Sequence, residues 1–315
     1  MTTITPPLDP AQDEVLHGKE ASRAVRKAFS SPIASAAVIL LSVLWTIPTL
    51  GLFINSFRSK EDAATTGWWE FFVHPSFSLD TYKQVLTADG GLTLPLVNSL
   101  AITIPATIIP IFIASMAAYA LAWMRFRGSD AIFFTIFALQ VVPLQMALVP
   151  LQQYYVKGLQ VFGVTIIPSP HVNGTLAQIW ISHTMFSLPL AVFLLHNFVA
   201  QIPESLIEAA RVDGAPHLRI FRSIVLPLSM PAIASFAIFQ FLWVWNDLLV
   251  AKTFGSSDPA QQPVTARLQS LTGSFGAHQE LLAPAGFIAI VIPLIVFLAL
   301  QRYFARGLLA GSVKG

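Results

Sequence analysis

Long apolar stretches alternate with short polar ones along this chain, and six of the apolar stretches are long enough to cross a bilayer. They run from about Ile33 to Phe57, Pro95 to Trp123, Ala131 to Tyr155, Leu176 to Phe198, Leu228 to Val250 and Pro284 to Phe304. A helix rises 1.5 Å per residue, so about 20 apolar residues match the hydrocarbon core of a membrane. The pattern predicts an all-α integral membrane protein. Six transmembrane helices would occupy residues 33–304, with tails at 1–32 and 305–315. Asp247, in the fifth stretch, is the one carboxylate within a span; the fourth holds His183 and His196.

Composition agrees. The chain is 55% hydrophobic and 11% charged, less than half the charge of an ordinary soluble surface, so membrane lipid is its main solvent. A net charge of +2, from 18 basic and 16 acidic residues, is too balanced for a nucleic-acid binder. The absence of cysteine excludes disulfides, thiolate metal sites and cysteine nucleophiles. The first apolar run begins after 32 mostly polar residues and is too long for a cleaved leader, so it reads as a retained span. The residues before it, with Pro6, Pro7 and Pro10, suggest a flexible tail carrying a short basic helix with Arg23, Arg26 and Lys27.

Basic residues set the orientation, because they favour the cytoplasmic side. One set of segments carries Lys19, Arg23, Arg26, Lys27, Arg125, Arg127, Arg211, Arg219, Arg222, Arg302, Arg306 and Lys314. The alternate set carries Arg58, Lys60, Lys83, Lys157, Lys252 and Arg267. Twelve against six predicts both termini in the cytoplasm. Prolines at 105, 110, 143, 150, 189, 231 and 293 each remove a backbone donor and bend their helix. Two readings fit: ordinary tolerance within a helix bundle, or helices bent around a passage.

The most informative segment, residues 201–227, lies between the fourth and fifth spans on the predicted cytoplasmic side. Pro203 suits a first helical position and Glu204 the positive end of the helix dipole. A short helix should run to about Asp213. Gly214 can take the left-handed conformation that ends it, and Pro216 can open a second helix leading back to Pro227. Leu206, Ile207 and Ala210 share one face by their spacing, and Ala209 and Ala210 are small enough for a partner to approach closely. The prediction is a helix–turn–helix outside the bilayer, with an apolar face and no core of its own.

Glu208-Ala209-Ala210, then Gly214, then Ile224-x-Leu226-Pro227 resembles the EAA loop of bacterial ABC importer permeases, with the complete spacing EAA-x3-G-x9-I-x-L-P. In that family the loop is the coupling helix, seated in a groove of an ATPase subunit. The resemblance implies a charged contact for Glu208, with Gly214 as the sharp turn and Asp213, Ile224, Leu226 and Pro227 completing the segment. It covers nearly the whole chain from Ile33 onward. The best match is the carbohydrate branch that resembles the second maltose permease. Phe241-Leu-Trp-Val-Trp-Asn-Asp247 is similar to that branch's fifth span, with Asp in place of the usual Glu, and the tail 301–315 resembles its ending. Pro143-Leu-Gln-Met-Ala-Leu-Val-Pro150 looks more narrowly like α-glucoside importers. The implied protein is a permease subunit of an ATP-driven sugar importer in a bacterial or archaeal cytoplasmic membrane. The implied partners are a second, related permease, an ATPase dimer, an extracytoplasmic sugar-binding protein and the sugar itself. The chain has no G-x4-G-K-[ST] phosphate loop, so ATP and Mg would be bound by the ATPase and no cofactor by this chain.

Polar side chains within spans tend to face the bundle interior. Asn98, Gln140, Gln145, Trp243 and Asn246 are therefore candidates for the substrate pathway. Helix-to-helix bonding accounts for the amides equally well, and an interfacial aromatic belt accounts for Trp243 and Trp245. Asp247, near the outer end of its span, suits a cap or a pair. His183 and His196 lie thirteen residues apart with no ligand cluster nearby and suit polar contacts in the bundle. Two rivals remain. An ion-gradient-driven secondary transporter would call for ionisable groups at membrane depth or repeated halves. A membrane-embedded hydrolase would call for H-E-x-x-H or G-x-S-x-G. Neither needs a loop that docks an ATPase.

Overall fold

A computed structural model describes residues 32–87, 91–124, 126–256, 258–272 and 279–312, with side chains at 279 and 302–312 not described. The expected basic helix around Arg23, Arg26 and Lys27 lies outside these residues, as do the side chains of Arg306 and Lys314. Thirteen α-helices and one small hairpin are present among the described residues. Five helices are long and apolar enough to span a membrane: α1 (Pro32–Ser56), α4 (Thr93–Trp123), α7 (Leu176–Val199), the continuous run His217–Asn246, and the Glu280–Gln301 part of α13 (Gln279–Ser312).

The third apolar stretch is broken in two rather than merely bent. It consists of Ser129–Val141, which opens with α5 (Ser129–Ala138), and α6 (Leu144–Lys157), bent 104° from each other. Pro143 is the cause. A residue before proline is pushed out of the helical region, and Val142 sits at φ −69, ψ 117, with Pro143 itself at ψ 131.

Helices α4 and α7 form the most extensive contact in the molecule. Ala106, Ala114 and Ala118 on α4 and Ala191 on α7 are fully buried, and small side chains at such positions let helices approach closely. The third large partner is α10 (Leu226–Asn246). The first span is peripheral: only 6% of its apolar window is buried. The segment that follows it is pinned. Buried Arg58 donates to the carbonyls of Thr66 (3.1 Å) and Gly67 (3.0 Å), and a Cβ at Gly51 would strike Trp68 at 2.8 Å.

Span five ends earlier than its apolar run suggests. The helix stops at Asn246 because Asp247 turns extended (φ −70, ψ 134). The Asp247 carboxylate then accepts from the amides of Val250 (2.9 Å) and Ala251 (3.1 Å) at the start of α11 (Leu249–Phe254). Helix starts expose unpaired donors that a carboxylate satisfies, so the single carboxylate of this span is a helix cap. His183 Nε2 stands 3.7 Å from it.

Candidate functional site

The segment between spans four and five forms a tight corner. Helix α8 (Glu204–Val212) opens after Pro203, which is extended at ψ 128, and carries Glu204 in its first turn and Arg211 in its last. Both charges complement the helix dipole. Gly214 reverses the chain at φ +70, a conformation that glycine alone adopts without a steric penalty. The amides of Gly214 and Ala215 donate to the carbonyls of Arg211 and Ala210 (both 3.0 Å), meeting the acceptors left free at a helix end. Asp213 caps α8, its amide donating to Ala209 (3.0 Å). After Pro216 the chain re-enters helix at α9 (His217–Ile220) and continues without interruption into span five.

The corner is not free-standing, as the sequence suggested. Ile207 is completely buried in a cluster with Ile202, Trp123, Val199 and Ile220, and Ala210 and Ala215 pack on the same cluster. The apolar face of α8 is thus used up against the chain's own spans. Leu206, expected on that face, is 45% exposed; one position away from Ile207, it is turned by 100°. Ala209 is exposed whereas Ala210 is half-buried, so only the former is open to a partner. Glu208, Asp213 and Gly214 are exposed, and Pro227 also; Ile224 and Leu226 are half-buried against the cluster.

Three polar ties, none anticipated from the sequence, hold this region: two fix the corner to span α4, and one joins the ends of α4 and α7. Arg211 Nη2 donates to the Trp123 carbonyl at 2.6 Å, Trp123 Nε1 to the Val199 carbonyl at 3.1 Å, and Tyr119 Oη pairs with His217 Nδ1 at 2.9 Å. Two of the three carbonyl and ring partners lie at the last turns of α4 and α7, where carbonyls lack helical donors. Tyr119 and Trp123, four apart at the end of an apolar helix, were the available signal.

A second feature is a cavity of about 610 Å³ between α6, α7 and α10. Leu144, Ala147, Leu151 and Tyr154 of α6 line one wall, Met185, Phe186 and Pro189 of α7 another, and Trp243 and Gln140 contribute the remaining polar edges. Trp243 meets buried His183 edge-on, ring centres 5.6 Å apart. Of the pathway candidates, the structure brings Gln140 and Trp243 together here. Gln145 is exposed and does not line the cavity. Asn246 is exposed and donates back to Leu242 (2.7 Å). Asn98 is committed elsewhere, donating to the carbonyls of Ala260 (2.8 Å) and Gln262 (3.1 Å). Trp245 is buried and donates to Ala289 (3.2 Å), so it belongs to neither a sugar site nor an interfacial belt. His196 lies tilted against Phe133, ring centres 4.2 Å and planes 35° apart.

The family described as "Binding-protein-dependent transport system inner membrane component" matches residues 110–309. The osmoprotective compounds uptake permease protein GgtD of Synechocystis sp. is 49% identical over 284 residues, covering 88% of this chain and 90% of that one. The alpha-glucoside transport system permease protein AglG of Rhizobium meliloti is 39% identical, covering 89% of this chain and 96% of that one. Among solved structures, a chain of a bacterial ABC transporter involved in import of the acidic polysaccharide alginate superposes with a TM-score of 0.63, covering 90% of this chain and 99% of its own length at 14% identity, a likeness of fold. With most of its length matched in these ways, this chain belongs to the family of inner membrane components of binding-protein-dependent transport systems.

Proposed function

We propose that the chain is one permease subunit of an ATP-driven sugar importer, most narrowly of oligosaccharides or α-glucosides. The observation that carries the proposal is the corner at Glu204–Gly214. It presents exposed Glu208, Ala209 and Asp213 outside the bilayer while its inner face is locked onto three spans. A helix so mounted passes a push from an outside partner directly to the bundle. An ABC importer needs this transfer between an ATPase and its membrane passage.

In this reading the chain itself breaks no covalent bond. ATP and Mg belong to the ATPase dimer, and this chain contributes half of the passage, with a second, related permease contributing the rest. An extracytoplasmic sugar-binding protein delivers the solute, and both termini of the chain face the cytoplasm, as the twelve-to-six division of basic residues supports. The substrate class rests on relatives named for alpha-glucosides and for osmoprotective compounds, and on a cavity edged by Trp243, Tyr154 and Gln140. Aromatic faces and amides suit the apolar faces and hydroxyls of a sugar. The ion-gradient alternative has no counterpart among these relatives.

The test is co-purification from the native membrane in mild detergent, beside a Gly214→Pro variant. Proline fixes φ near −65°, against the +70 observed, so the variant must distort the corner. Wild type is expected to retain a second permease and an ATPase, and the variant to keep the permease while losing most of the ATPase. A correctly inserted wild-type chain that brings down no ATPase would overturn the proposal.

A further inference from the structure

Between the broken third span and the fourth, the chain forms a hairpin that no other described part of the molecule covers. Strand β1 (Leu159–Val161) pairs antiparallel with β2 (Val164–Ile167), and all seven strand residues are exposed. Leu159, Val161, Val164, Ile166 and Ile167 are each between 44% and 61% exposed. Phe162, at the tip, is 103% exposed and holds φ +50, a conformation rare for a bulky side chain. From Gly158 to Thr175 there is no Asp, Glu, Lys or Arg. Only the foot is tied down: Ser169 Oγ donates to the Tyr155 carbonyl at 2.5 Å.

One face of this ribbon, with Leu159, Val161, Val164 and Ile167, is apolar, while the other carries the uncharged Gln160–Thr165 pair, and a lone two-stranded hairpin is marginal in water. Something covers it, and its chemistry narrows the choice. Each strand keeps one unpaired edge, and lipid hydrocarbon cannot satisfy those backbone groups. Transient protein contacts are more polar, whereas permanent subunit interfaces are apolar and short of charge at their centre. The corner at Glu204–Gly214, with its exposed Glu204, Glu208, Arg211 and Asp213, has the first character. The hairpin has the second. Its position points the same way: Tyr154, at the outer end of α6, lines the cavity, and the chain enters β1 five residues later. The ribbon therefore follows in the chain directly on the helix that walls the cavity.

We propose that the β1–β2 hairpin is a permanent clasp on the second permease subunit, with Phe162 as the anchor seated in an apolar pocket of that subunit. This rests on the reading of the chain as half of a two-permease importer. The test places a photo-reactive benzophenone side chain at Phe162, with a second one at Val212, which is 87% exposed on the corner, as a control. Both are made in the intact complex in native membranes. The expected adduct at 162 is with the second permease, in equal yield with or without the binding protein and ATP. An adduct with the binding protein, with lipid or with another copy of this chain overturns the clasp. So does no adduct at all, when the second permease and ATPase still co-purify. If those subunits do not co-purify, the importer reading itself falls, which separates the two failures. A Phe162→Gly variant complements the cross-link, since it removes the ring while suiting the positive φ. The chain should insert at wild-type levels, with recovery of the second permease reduced roughly tenfold or more, as for an interface anchor; unchanged recovery would also overturn the clasp.

Discussion

The corner at 203–216 and the hairpin at 158–168 are excursions of similar length between spans, yet the molecule treats them in opposite ways. Each reverses at a residue in the left-handed region, Gly214 in one and Phe162 followed by Gly163 in the other. The corner buries Ile207 completely and is held by Arg211, Trp123, Tyr119 and His217, leaving charged groups outward. The hairpin buries none of its strand residues and turns apolar ones outward. In the proposed importer, the segment that transmits force is anchored inside its own chain and would meet its partner through polar groups that can let go. A segment anchored only at its foot, with an apolar surface, depends on a partner that does not leave. The difference lies in packing and in charge: both sequences carry aliphatic residues, but only the corner carries Asp, Glu or Arg.

The comparison can be broken most severely at its buried point. Ile207→Asp puts an unpaired charge into the cluster beneath α8, at a cost of about 4 kcal/mol or more. Little monodisperse protein should survive detergent extraction, and sugar uptake should vanish. Ile207→Val, at about 1 kcal/mol, should extract normally; near-normal behaviour of the aspartate variant would mean that the corner is not docked. A middle effect is expected from Arg211→Met, which removes the tie to the Trp123 carbonyl while retaining the side-chain stem. The loss should be about 1 kcal/mol, seen as a lower melting temperature. Sugar-stimulated ATP hydrolysis in proteoliposomes should fall while the ATPase still co-purifies. Full stimulation would show that the tie carries no motion. The smallest effect belongs to the hairpin: Phe162→Ser should change the melting temperature of the isolated chain by no more than about 0.5 kcal/mol equivalent. A large loss there would reveal a contact within the chain and erase the contrast.

Much of the bundle was legible because membrane spans announce themselves by length and apolarity. The turn at Gly214 was legible too, since a glycine after a helix of nine residues has a specific backbone task. The break at Val142–Pro143 was harder. Ten prolines fall within the apolar runs, and nine leave their helices continuous, so proline alone does not say which helix breaks. The polar ties were illegible for another reason. Tyr119 meets His217 across 98 residues and Asn98 reaches Ala260 across 162, and local spacing carries no information about such pairs. The apolar face of α8 was visible from its period, but its limits were not. Leu206 and Ile207 look alike in sequence, and only the positions of α4 and α7 decide that one is covered and the other exposed. The hairpin had a signal, two short apolar runs flanking Phe162-Gly163, hidden by the surrounding apolar background.

The link between the corner and span five is helical throughout, but five of its residues, Phe221–Val225, are wound in the wider π form, with the Leu226 amide donating to the Phe221 carbonyl. Pro227 supplies no donor for the Ser223 carbonyl, which favours this looser winding. The consequence is one of angular phase. Each residue of an α-helix turns the chain by about 100°, so a π turn works as a one-residue spacer that sets how the corner is rotated about the axis of span five. Removing a single residue here would restore a regular helix yet swing Glu208 about a quarter-turn or more away from its present bearing. The length of this short stretch, more than its side chains, therefore fixes the direction in which the importer's levers point.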